Sequence, residues 1–184
     1  MTKKSLYKSG AASLVCGAIL VTLANLLAPQ GDARMAVSSM WYYPAAIVAL
    51  LGGLILMAGW AAVYLYQRKQ SGRLGFVGFV LVLLAGMALN VGFPTVILLI
   101  YPWLAHLNIP SHTLNTGPVV FNLLFALSSG IVSIGGIIFG IATLKAKVFS
   151  RQLGYSFVVL SFASAILGFL SLPGGGGVRP ELLE

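Results

Sequence analysis

The sequence predicts an all-α integral membrane protein: a bundle of five transmembrane helices with short loops, the N-terminus cytoplasmic and the C-terminus extracytoplasmic. Three observations carry that prediction. Only 8% of the 184 residues are charged, while 59% are apolar. A soluble domain carries about 25% charged residues, so this chain lacks the polar surface that water requires. Five stretches reach the ~20 apolar residues that a bilayer crossing needs. Lysine and arginine, finally, fall in alternate connections, which is the signature of membrane topology. The net charge of +8 therefore reads as topology. Nucleic-acid binding would instead need a basic face on a folded domain.

The first span, 9–27, follows Lys3, Lys4 and Lys8 and holds the small pair Ser13 and Gly17. It also holds Cys16, the one cysteine of the chain, expected to be a small packing residue. One cysteine excludes an intramolecular disulfide and a cysteine-based metal site. The basic start, the apolar stretch and Gly31 to Ala33 also resemble a secretory signal with a cleavage site, which would leave four spans. The length of the apolar stretch favours a retained helix. The first connection carries Asp32 and Arg34.

The second span, 41–66, opens on Trp41, Tyr42 and Tyr43 and closes past Trp60, Tyr64 and Tyr66. These rings read as lipid-interface anchors, one edge apolar and the other polar. The connection QRKQSGR follows, with Arg68, Lys69 and Arg73. In the third span, 74–101, Asn90 precedes Gly92 and Pro94. Pro94 has no backbone N–H, which frees the carbonyl of Asn90 four residues earlier. A free carbonyl at membrane depth needs a partner.

The fourth span, 119–143, is followed by KAKVFSR, with Lys145, Lys147 and Arg151, and the fifth runs 153–172. Basic residues thus number three in the N-terminal segment, three in the second connection and three in the fourth. The other side has one, none and one. The positive side faces the cytoplasm, which sets the orientation. Residues 1–172 form a single transmembrane domain, expected in a bacterial cytoplasmic membrane. Residues 173–184, opening with PGGGG, form a tail whose glycines lose too much entropy on ordering to hold one shape.

The chemistry is sparse. The acidic residues are Asp32, Glu181 and Glu184, all outside the spans. Paired carboxylates for acid–base catalysis and an HExxH motif are lacking. So are a lysine for retinal and an intramembrane ionisable group for proton coupling. Both histidines, His106 and His112, fall in YPWLAHLNIPSHTLNTGP. Two imidazoles fall short of the three or four ligands of a usual copper or zinc site. They are expected to be bystanders in a connecting loop, with outer-loop contact to a substrate or partner, or a metal site, as the weaker alternatives, and no cofactor is expected.

The fourth span carries the most specific pattern. Asn122, Ala126, Ser129, Ser133, Gly136, Gly140 and Thr143 follow one another at spacings of 4, 3, 4, 3, 4 and 3. That alternation keeps one seam facing one direction, and small residues on it let another backbone approach closely. Ala142 falls off the seam, on a face expected to meet lipid. The fifth span has a shorter row of Gly154, Ser161, Ala165 and Gly168. The leading expectation is a non-enzymatic accessory or scaffold subunit. It would pack through these seams against itself, as a homo-oligomer, or within a larger membrane-protein complex, with membrane lipids and no nucleic acid as its other partners. The alternative is a carrier or binding protein for a small apolar or amphipathic molecule, lipid or quinone-like, in a pocket near Asn90 and Asn122.

Overall fold

The computed structural model describes residues 3–107, 109 and 119–170. It is helical throughout: α1 (Lys3–Leu27), α2 (Ala33–Ser38), α3 (Tyr42–Met87), a π-helix (Ala88–Gly92), α4 (Phe93–Ala105), α5 (Val119–Ala146) and α6 (Arg151–Leu170). Among the described residues, three helices are long and apolar enough to cross a membrane: Tyr7–Leu27, Tyr42–Ala105 and Val119–Ala146.

The second of these is 64 residues long. Drawn straight it would extend about 95 Å, three times a bilayer core. It is folded in two instead. Gly72 leaves the helical region at φ 57° and ψ −153°, close to a conformation that side chains essentially exclude. The limbs on either side run antiparallel. Tyr64 stacks on Phe79 at 4.3 Å, and further along the Tyr42 hydroxyl donates to the Ile97 carbonyl at 2.6 Å. The connection expected at 67–73 is therefore helix on both sides of a one-residue elbow.

Glycines set the spacing between neighbours. α1 lies antiparallel on the first limb of α3, with Gly17 against the backbone of Leu56 and Gly59 against that of Leu14. The second limb packs on α5 through Gly78 and Gly135, which meet Phe139 and Val82. α5 in turn packs on α6, where Gly140 faces Val158. Phe139 is fully buried and packs edge-on to both Trp60 and Phe157. Trp60, expected as an interface anchor, is half-buried and packs against the rings of Phe139 and Phe157. Its position on α3 faces inward, and ring type alone does not reveal azimuth.

Large apolar side chains cover the outside of the bundle. Val15, Ile19, Leu23 and Leu26 do so along α1. Cys16 is exposed on that same helix, not packed as its size suggested, because Gly17 is the residue that turns toward α3. The three basic clusters gather at one end, where Tyr7, Tyr66 and Phe149 form a ring cluster with centroids 5.3 to 5.7 Å apart. At the other end the first connection contains α2. Asp32 caps this helix by accepting from the Arg34 N–H at 2.9 Å. The Arg34 guanidinium donates to the carbonyls of Leu107 (3.1 Å) and Ile109 (2.6 Å), which fastens α2 to the end of α4.

Candidate functional site

The row on α5 divides in the structure. Toward the basic end, Gly136 makes room for the Ser161 hydroxyl, and Gly140 faces Val158 and the Gly154 carbonyl. Ser133 and Thr143 are buried, and each donates to the carbonyl four residues back. Toward the other end, Asn122, Ala126 and Ser129 are only half-buried. In the fifth-span row, Gly154 abuts the Leu144 side chain and Ala165 is half-buried. Gly168 lies on α6.

Ala142 does not face lipid. It is 1% exposed, because a second close-packed row, Gly135, Phe139 and Ala142, turns toward the second limb of α3. α5 is clasped from two sides. A single 4-3 seam accounts for only one of its faces.

One buried cluster falls outside the pattern read from sequence. Gln67 is 0% exposed, and its Nε2 donates to the Thr143 hydroxyl at 3.0 Å. Gln67 Oε1 and the nearby buried Ser71 Oγ have no hydrogen-bond partner among the described residues. Such orphaned groups each cost about 1–3 kcal/mol. A signal was available: Val63, Gln67, Ser71 and Gly75, all buried, follow at steps of four. The flanking charges Arg68, Lys69 and Arg73 make the segment read as a loop.

At the opposite end, Pro94 acts with a π-turn. The Phe93 N–H reaches back to the Ala88 carbonyl, and the helix widens over one turn. π-turns recur at functional sites. The Asn90 carbonyl, freed by Pro94, presses on Gly53 of the first limb, where a Cβ would otherwise stand. The Asn90 side chain donates from Nδ2 to the Gly86 carbonyl at 3.0 Å.

Beside this kink lies a cavity of about 640 Å³, whose walls include Asn25, Tyr42, Ala46, Asn90 and Pro94. Small-molecule pockets commonly occupy ~300–1,000 Å³ with mostly apolar walls and a few polar groups. Alanines open the space: Ala45, Ala46 and Ala49 replace bulk along the first limb. α5 contributes Phe121 and Phe125, which pack on Phe93 at 4.4 and 4.9 Å. Their neighbour in the chain, Asn122, is half-buried. Asn90 therefore reaches the cavity, and phenylalanines flanking Asn122 close its side.

His106 is exposed at the end of α4, where its backbone N–H bonds to the Trp103 carbonyl at 3.3 Å. His112 and the tail 173–184 lie outside the described residues. Among the described residues, no three of His, Cys, Asp or Glu come together. Fold and site define an all-helical protein with apolar membrane-length helices and an open cavity at a π-kink. No protein-family model matches the chain, and no curated protein or solved structure matches it either.

Proposed function

We propose that this chain is a non-enzymatic, five-span protein of a bacterial cytoplasmic membrane that binds or carries a small amphipathic molecule, lipid or quinone-like. The N-terminus and the basic end face the cytoplasm, and the cavity opens in the opposite half. The observation that carries the reading is the 640 Å³ cavity beside the π-kink, with Asn90 on its wall. An apolar chain would fill the space between the alanines and phenylalanines. Asn25, Asn90 and Tyr42 supply the few polar groups that orient a headgroup.

The test is native mass spectrometry of the protein purified in mild detergent, with and without Ala49→Phe. Wild type is expected to retain a small molecule near one-to-one. The filled cavity should lose it while thermal stability is kept. Undiminished retention in the Ala49→Phe protein would overturn the reading.

A second reading, an accessory or scaffold subunit, is favoured by the half-exposed part of the α5 seam. Asn122, Ala126 and Ser129 are small or polar and only half covered within the chain. The rest of that seam is filled by α6, which weakens it as a site for a partner. A cysteine at Ala126 on a Cys16→Ser background should crosslink to a second protein if this reading is right. Lipid-like accessibility of that cysteine argues for the first.

A further inference from the structure

The basic end carries a separate surface. Arg68, Lys69 and Arg73 at the elbow, and Lys145, Lys147 and Arg151 between α5 and α6, are all exposed. Lys8 joins them beside Tyr7. Tyr7, Tyr66 and Phe149 hold the three connections together, their rings in mutual contact. The buried bond from Gln67 to Thr143 ties the elbow to the last turn of α5. The one described acidic residue, Asp32, sits at the opposite end of the bundle, capping α2. Among the described residues, the fold therefore collects like charges and supplies no counter-charge there.

We infer that this end is a docking surface for anionic phospholipid headgroups. The argument is charge complementarity at a fixed depth. Tyrosine rings favour the headgroup layer, and the basic side chains beside them meet the phosphates there. Exposed apolar residues continue from the cations along the helices: Leu74, Phe76 and Val77 follow Arg73, and Tyr155 follows Arg151. A lipid thus meets cations at its head and an apolar helix surface along its acyl chains. A soluble anion would use only the first.

The experiment places the full chain in nanodiscs of phosphatidylcholine alone, or of phosphatidylcholine mixed with phosphatidylglycerol. The anionic lipid should raise the melting temperature and be retained in native mass spectra, with both effects fading as salt rises. Each basic residue near a membrane surface contributes about fivefold in affinity. The triple variant Arg68→Gln, Lys69→Gln, Arg73→Gln should therefore bind phosphatidylglycerol on the order of a hundredfold more weakly. Its melting in neutral nanodiscs should match wild type, and Arg34→Gln, at the opposite end, should retain full affinity. Inorganic phosphate should not reproduce the stabilisation. Equal retention of phosphatidylglycerol by the triple variant, or full stabilisation by free phosphate, would overturn the inference.

Discussion

The two ends of the bundle are built on different terms. Every buried residue of α5 falls between Ser133 and Thr143, in the half nearer the basic end. There Gly135 and Gly140 fill with neighbours, and Phe139 is fully enclosed. In the other half Gly130 meets nothing within 4 Å, the π-helix buries no residue and α4 buries only Pro102. The dense half holds helices at glycine distance. The open half widens around a kink and leaves a cavity. Close packing and open volume are thus separated along one set of helices.

The largest expected effect breaks the dense half. A Cβ on Gly78 would stand 2.6 Å from the backbone nitrogen of Phe139, so Gly78→Leu should cost about 3 kcal/mol or abolish folding. Gly135→Leu should behave alike. Gly130→Leu is the control in the open half and should cost nothing measurable in thermal unfolding in detergent. Ala142, being buried, cannot serve as that control. Equal losses at positions 78 and 130 would erase the distinction between the halves.

The elbow comes next. Gly72→Ala should cost about 2 kcal/mol, because an L side chain is strained at this φ and ψ even though the surrounding space is open. Undiminished stability would mean that the limbs can meet through another turn. The Gln67 cluster gives a smaller effect with a sign. Thr143→Val removes the acceptor of Gln67 Nε2 and should cost about 1–2 kcal/mol. Gln67→Met removes the orphaned Oε1 together with Nε2, while the Thr143 hydroxyl keeps its bond to the Phe139 carbonyl, and should stay within about 0.5 kcal/mol of wild type, or gain. The reverse order, read from urea melts, would assign the cluster a role other than packing. Smallest is His106→Ala on the open side. A substitution at this exposed side chain should shift stability by less than about 0.5 kcal/mol.

The all-helical class, the apolar runs and the segregation of cations were legible along the chain because they are one-dimensional properties. Pro94 and Asn90 announced a backbone disturbance for the same reason: a missing N–H is a fact of covalent structure. Helical periodicity alone puts the members of the α5 row on one face, and the structure buries that face only from Ser133 to Thr143. Gln67 was hidden by its neighbours, because three cations nearby suggest a connection in which every residue meets water.

What the chain could not reveal was which face meets which. A periodic row states that residues share an azimuth, and not how many neighbours a helix has. Ala142 was therefore set against lipid, while the folded protein packs it beneath the second limb of α3. Composition likewise could not place the elbow at a single residue, since apolar helix is equally favourable on either side of Gly72. The cavity belongs wholly to tertiary structure. It is a gap between helices that diverge at a π-turn, lined by alanines that in sequence look like ordinary helix formers. Sequence determined the apolar helices and the charged end, each being set by local chemistry. The fold decided the contacts and the empty volume, because both depend on the relative rotation and crossing of helices distant along the chain.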